Sequence, residues 1–121
     1  MQDFRKLIVW QRAQETCVQV YRFSADFPVE ERYGLTKQLR DAAVSVGANL
    51  AEGSKRVSSA DKARIFNISE SESAESISLL DMAERLRYGQ REEARRLGQV
   101  YDELLGMIEK LRQQVLGGHR S

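Results

Sequence analysis

Few side chains of this sequence are of the types that catalyse reactions at neutral pH. His119 is the only histidine and Cys17 the only cysteine among 121 residues. Di-iron bundles with paired Glu-x-x-His motifs and zinc-hydrolase motifs require at least two histidines, and a catalytic triad would depend on His119 alone. Because His119 follows two glycines near the end of the sequence, we expect it to be a solvated tail residue. We therefore predict no metal site and no bound cofactor.

Cys17 lies one heptad after Trp10, on the same apolar stripe. A reactive thiolate requires a cationic neighbour, whereas the polar residues just before Cys17 are Gln14 and Glu15. We therefore expect a buried thiol that packs as a small apolar side chain. A single cysteine cannot form a disulfide within the chain, which favours a reducing, cytoplasmic location.

Asn49, Glu52 and Glu75 are the candidate polar site, since the first two lie among small residues and the third lies in the middle of another predicted helix. One interpretation is a pocket whose paired carboxylates act as acid and base, or bind a small ligand. The other is a hydrogen-bonded polar layer that fixes the register of the helices. We favour the layer, and predict no enzymatic activity. The candidate hydrogen-bond partners of this polar layer are Tyr33, Arg40 and Arg64.

Basic residues are concentrated in one part of the sequence, where residues 32–65 have a net charge of +4 and residues 66–88 a net charge of −3. Clustered Lys and Arg are what phosphate contacts require, so RNA or DNA is a candidate partner. Two observations favour the alternative of solvated helix charges. The whole chain has a net charge of only +1, and no aromatic residue that could stack on bases lies between Lys37 and Arg64. The nucleic-acid candidates are Lys37, Arg40, Lys55, Arg56, Lys62 and Arg64.

An apolar run near the N-terminus, Leu7 to Trp10, covers all sides of one helical turn. Some of these side chains must face outward, and exposed apolar patches usually mark interfaces. We therefore predict self-association through Phe4, Leu7, Ile8 and Trp10. The run of four residues is far shorter than a signal peptide or a membrane span requires, so we expect no membrane association.

Apolar residues recur at intervals of three and four through most of the sequence, which contains one proline and is 31% charged. This pattern predicts four helices: about Phe4 to Ala25, Glu31–Leu35 to Gly53, Ser59 to Tyr88, and a fourth that follows the Tyr88-Gly89 turn and ends at Gly117-Gly118. Asp3 is the expected N-cap of the first, and Phe27-Pro28 follows its end. We predict an all-α, antiparallel, up-down-up-down four-helix bundle that forms a single domain over residues 1–121.

The second predicted helix has two stripes. A large apolar stripe faces the core, and beside it runs a stripe of small residues that lets a neighbouring helix approach closely. The third predicted helix contains a Ser/Glu-rich run at residues 69–76, where serine is a weak helix former and local disorder is the competing interpretation. Apolar residues on both sides keep a compatible phase, so we predict helix. The two stripes are Leu35, Leu39, Ala42, Val46 and Leu50, and Ala43, Gly47 and Ala51.

A string of residues through the first two predicted helices resembles the four-helix-bundle proteins of the 23S rRNA intervening-sequence family, a group that also includes the accessory variability determinant of diversity-generating retroelements. The resemblance thins through the third helix, where Arg64, Ile68, Glu75 and Tyr88 still fit. The string comprises Phe4-Arg5-Lys6-Leu7, Val9-Trp10-Gln11, Phe27-Pro28, Glu31, Tyr33-Gly34-Leu35-Thr36, Gln38, Ala42-Ala43-Val44-Ser45, Ala48-Asn49 and Ala51-Glu52-Gly53.

The resemblance implies a bacterial, non-enzymatic bundle that assembles as a ring-like homo-oligomer, often a pentamer. For the retroelement members it also implies a basic surface that binds nucleic acid and a reverse transcriptase. This chain departs from the pattern at Arg40-Asp41, where the family has two basic residues, and at Gly47, where it often has proline. The functions that remain open are a scaffold or nucleic-acid-associated accessory factor, a purely structural interaction module, and a small-ligand binder.

Overall fold

The computed structural model describes residues 3–117, most of which lie in four α-helices. These are α1 (Ile8–Ser24), α2 (Leu35–Lys55), α3 (Ser59–Arg85) and α4 (Arg91–Gly117). Consecutive helices pack together and α1 also packs against α4, so the bundle closes around one core. The predicted all-α antiparallel bundle is confirmed. None of the helices within the described range has an apolar stretch long enough to cross a bilayer.

The first helix starts later than the sequence predicts. Phe4–Lys6 form a separate 3-10 turn, and the extended backbone of Leu7 divides this turn from α1. Asp3 is a cap, as expected, but it caps the 3-10 turn: its carboxylate accepts a hydrogen bond from the Arg5 backbone N–H at 3.0 Å. The 3-10 turn and α1 are thus two separate elements, and the periodicity of apolar residues alone does not reveal the break between them.

The large apolar stripe of α2 faces the core, and all five of its members are buried. The small residues beside it meet the neighbouring helices. A Cβ added at Gly47 would collide with the side-chain amide oxygen of Gln14 on α1. The sequence predicts that α2 ends at Gly53, but the structure places Gly53 inside the helix. A Cβ added at Gly53 would lie 2.7 Å from the Phe66 ring of α3. Both glycines therefore permit close approach of helices.

The Ser/Glu-rich run is helical throughout, as predicted, and three of its four serines face the core. Ser69, Ser73 and Ser76 are fully buried, and each hydroxyl has a hydrogen-bond acceptor. Ser73 and Ser76 donate to backbone carbonyls four residues earlier on α3, whereas Ser69 donates to the Val46 carbonyl of α2 at 2.7 Å. The small serine side chains thus form hydrogen bonds to backbone carbonyls in the interior, and their size keeps α3 close to its neighbours.

The α3–α4 turn is tied to the start of α2. Arg87 adopts a left-handed backbone conformation at the end of α3, with φ of 61°, and the Tyr88 N–H closes the helix by donating to the Ala83 carbonyl. The Tyr88 hydroxyl donates to Glu31 Oε2 at 3.1 Å, while Glu31 Oε1 accepts the Leu35 N–H. This hydrogen bond to the carboxylate raises the pKa of Tyr88. One carboxylate therefore caps α2 and anchors the turn.

Candidate interaction surfaces

The structure does not bring Asn49, Glu52 and Glu75 together into a pocket or layer. The Asn49 amide donates to the carbonyl and hydroxyl of Ser45, one turn earlier on its own helix. Glu52 and Glu75 are exposed, and Glu52 pairs with Arg56. The prediction fails because Leu50 and Gly53 occupy the interior face of this part of α2, so that Glu52 is turned toward solvent.

A different carboxylate is buried. Glu70 on α3 is 9% exposed and forms an ion pair with Arg112 on α4, while the Asn67 amide lies 3.4 Å from its Oε1. Glu70 lies four residues after Phe66 and three before Ser73, on the face of α3 that is buried. This spacing is the sequence feature that could have identified it. Since the pair joins two helices and lies at the edge of the core, it fixes the position of α4 relative to α3.

The six candidate nucleic-acid residues occupy two places. Lys37 and Arg40 lie near the start of α2, about 27 Å and about 22 Å along the helix axis from Lys55, at ~1.5 Å per residue. Lys37 pairs with Asp41 at 2.5 Å. Arg40 donates to Ser24 Oγ at 2.8 Å and its guanidinium lies 4.6 Å from the centre of the Tyr21 ring. These two bases are therefore engaged with the bundle itself.

The other four candidates do cluster, at the end of the bundle where α2 meets α3. Arg56 pairs with Glu52 and Asp61, and Arg64 also pairs with Asp61. Lys62 donates to the Ser54 carbonyl at 2.7 Å. Most of the positive charge here is thus shared with acidic residues or a carbonyl, which leaves a partly neutralised basic surface. We name this surface the basic end; its bases are Lys55, Arg56, Lys62 and Arg64, with Arg5 and Lys6 beside them.

The basic end contains aromatic residues that the sequence does not place there. Phe4 lies edge-on to Trp10, with ring centres 5.1 Å apart. The Lys55 ammonium lies 5.9 Å from the centre of the Phe4 ring and the Arg5 guanidinium 4.9 Å. The Arg5 backbone N–H holds the pKa of the Asp3 carboxylate below its ordinary value, and Lys55 contributes to this shift. Phe4 and Arg5, which precede α1, and Lys55, at the end of α2, therefore form one cationic and aromatic corner.

Of the four predicted interface residues, only Ile8 is largely exposed; Phe4, Leu7 and Trp10 are half-buried, and Leu7 and Trp10 pack against the core. A larger apolar surface lies elsewhere, along the seam of α1 and α2. Exposed Val18, Tyr21 and Val44 line a groove of about 320 Å³, together with Gln14 and Cys17. We name this the α1–α2 face. No charged residue lines its groove. Sequence periodicity alone does not show that these positions of two helices lie side by side.

Cys17 is half-buried at the floor of that groove, and burial raises the pKa of its thiol. Behind it in the core lies Tyr101, which is fully buried and whose hydroxyl has no hydrogen-bond partner within residues 3–117. Burial raises the pKa of Tyr101, and Cys17 contributes to this shift. Neither group is poised to ionise at neutral pH, so the pair has the character of core rather than of a reactive centre.

Residues 3–117 contain no group of three His, Cys, Asp or Glu side chains placed to hold a metal ion. His119 and the tail that contains it lie outside the described residues. Within the described residues, the two features that could take part in interactions are the apolar α1–α2 face and the basic end.

Comparison with known proteins agrees with this architecture. A model of the 23S rRNA-intervening sequence protein family matches residues 5–110. Among solved structures, the chain resembles a protein of unknown function from the S23 ribosomal protein family of Bacteroides thetaiotaomicron. The two share 23% sequence identity and superpose with a TM-score of 0.78, covering 87% of this chain and 98% of that one. The comparison with curated proteins gives no match. At this identity the structural likeness establishes the fold.

Proposed function

The chain belongs to the 23S rRNA-intervening sequence protein family, and on that premise we propose that it is a non-enzymatic scaffold that assembles as a homo-oligomer and associates with nucleic acid. The observation that supports assembly most strongly is the α1–α2 face. Val18, Tyr21 and Val44 are 50%, 42% and 46% exposed, in a chain of which 31% of residues are charged. Apolar side chains that share a groove without a charged residue are characteristic of an interface.

A ring is the assembly that the family resemblance implies, and a pentamer its expected size. Ring closure needs a heterologous contact, in which one surface of each subunit meets a different surface of the next. The α1–α2 face supplies the first of these surfaces. Ile8, at the start of α1, is a further exposed apolar side chain of this helix.

A charge placed on the α1–α2 face tests the assembly. Val44→Glu should dissociate the oligomer, because a carboxylate would lose its hydration on docking without gaining a partner. Met82→Glu on α3 is the matched control, since Met82 is 47% exposed and lies outside the face. Molar mass by light scattering should fall for Val44→Glu alone. Equal masses for the two variants would refute the α1–α2 face as the interface.

The nucleic-acid part of the proposal is supported by the basic end. Four of the six predicted bases remain clustered there, although three of them have partners within the chain. In a ring this end would recur once per subunit, so weak contacts would act together. Binding of RNA and DNA should be detectable at low salt and weaken steeply as salt is raised, since phosphate contacts release counterions. Absence of binding at low salt would leave a purely structural interaction module.

A further inference from the structure

An apolar cavity opens beside the cationic and aromatic corner of the basic end. Its volume is about 380 Å³, and it lies where α1 starts, α2 and α4 end and α3 starts. Val57, in the α2–α3 connection, is 93% exposed at its mouth. The Val57 side chain is therefore accessible to a ligand that enters the cavity. The lining comprises Leu7, Ser54, Val57, Lys62, Phe66, Leu111 and Val115.

One cation lines this cavity, and two others are next in sequence to residues that line it. Lys6 precedes Leu7, Lys55 follows Ser54, and Lys62 itself lines the wall. The described residues of the basic end comprise six bases and three acids, Asp3, Glu52 and Asp61, for a net charge of +3. The three acids pair with Arg5, Arg56 and Arg64, so none of the three lysines has an ion pair within the described part of the chain. The cavity thus lies in a region where three lysines have no ion pair within the described residues, although Lys62 donates to the Ser54 carbonyl.

We infer that this cavity binds an unpaired nucleobase of a single-stranded nucleic acid, while Lys6, Lys55 and Lys62 contact the adjoining phosphates. The inference rests on the nucleic-acid part of the proposed function and specifies its ligand. A single strand presents a flat, largely apolar base beside each phosphate, which matches an apolar cavity bordered by cations. A duplex keeps its bases stacked and paired, and so offers this corner only phosphates.

The Phe4–Trp10 pair gives the corner its second means of recognition. Phe4 borders the cations and lies three residues before Leu7 of the cavity wall. A base next to the inserted one can therefore contact an aromatic edge while its phosphate remains near Lys55. Contacts of this kind tolerate any base sequence, since every base has a π-face. The site discriminates unpaired from paired strands rather than one sequence from another.

Fluorescence anisotropy with a labelled single strand and a duplex of the same length tests this site. At low salt the single strand should bind at least tenfold more tightly than the duplex. Val57→Ser should weaken single-strand binding by roughly fivefold, which is the low end of the effect of losing one base contact. Lys55→Gln should reduce the salt dependence of log K by about 0.7, the slope expected for one phosphate contact on a single strand.

Two variants at the opposite end of the bundle serve as controls. Val29 is 66% exposed and Lys37 is an exposed base, so Val29→Ser and Lys37→Gln repeat the chemistry of the test variants away from the cavity. Both should bind single strands as tightly as the unmodified protein does. All four positions are exposed, and circular dichroism should confirm that the variants remain folded.

The outcomes separate the site from the function. Binding of single strands that Val57→Ser and Lys55→Gln leave unchanged, or equal binding of the duplex, would overturn the site and leave the nucleic-acid function standing. No binding of either strand form at low salt would overturn both. Displacement of the strand by polyglutamate at equal charge concentration would show that the corner recognises charge alone, or an acidic peptide, and would overturn the assignment to a nucleobase.

Discussion

The Ser69 hydroxyl on α3 donates a hydrogen bond to the Val46 carbonyl on α2 at 2.7 Å, in the interior of the bundle. Ser69 is fully buried, and Val46 belongs to the apolar stripe of α2. A backbone carbonyl already used by its own helix thus accepts a second bond from the neighbouring helix. The Ser/Glu-rich run is therefore part of the interface between two helices and not a weak point of the chain.

Ser69→Ala should destabilise the protein by about 1 kcal/mol, because it removes a buried interhelical hydrogen bond. Ser71→Ala is the control, since the Ser71 hydroxyl is exposed and donates only to Asn67 of its own helix. Alanine raises helix propensity there, so stability should stay equal or rise slightly. Urea unfolding of both variants measures the difference. Equal effects would show that the Ser69–Val46 bond does not contribute to stability.

Gly53→Ala should destabilise the bundle by ~1–3 kcal/mol, since the new methyl group would lie 2.7 Å from a ring carbon of Phe66. Phe66 is almost fully buried and cannot turn away easily. Gly106→Ala makes the same change on exposed α4, where nothing lies within 4 Å, and should stabilise by up to about 1 kcal/mol. Opposite shifts in melting temperature are expected. A stabilising Gly53→Ala would show that α2 and α3 can separate without cost.

Tyr101→Phe should stabilise the protein by about 1 kcal/mol, because the buried hydroxyl has no partner within residues 3–117 and its desolvation is uncompensated. The ring that fills the core is retained, so no cavity forms. Chemical denaturation of the two proteins at neutral pH measures the change. A loss of stability of similar size would show that the hydroxyl forms a hydrogen bond in solution.

Cys17 should react slowly with iodoacetamide in the folded protein, with a pH midpoint above that of the same thiol in urea. Burial raises the thiol pKa, so the folded state keeps its proton over a range where the unfolded state has lost it. The corresponding stability is fully present below the unfolded pKa and is lost as the pH rises through the folded pKa. A folded-state midpoint at or below the value in urea would instead indicate an activated thiolate.

The sequence predicted the bundle well because core formation follows the periodicity of large apolar side chains. Leu39, Val46 and Leu50 are buried as their spacing requires. It predicted the polar residues less well. Glu52 and Glu75 have the small or central neighbours expected of a polar site but are exposed, whereas Glu70 is buried because it follows the phase of Phe66. Helix phase is the better guide to burial than the chemical character of neighbouring residues.

The candidate surfaces were less predictable because they depend on contacts between distant parts of the chain. Phe4 and Lys55 are 51 positions apart, and only the closure of α1 against α2 places the ammonium near the ring. Val18 and Val44 likewise form one face only after two helices pack. The run Leu7–Trp10 indicated correctly that apolar residues are exposed near α1, but Leu7 and Trp10 themselves pack against the core.

We propose above all that this bundle functions as a homo-oligomer. The molar mass of the unmodified protein tests this proposal most directly. Light scattering coupled to size-exclusion chromatography, at micromolar concentration and moderate salt, should give an integral multiple of the 13.8 kDa chain, with five copies the expected number. The mass should remain constant as the sample is diluted through the micromolar range. A mass of one chain at every concentration would contradict the account.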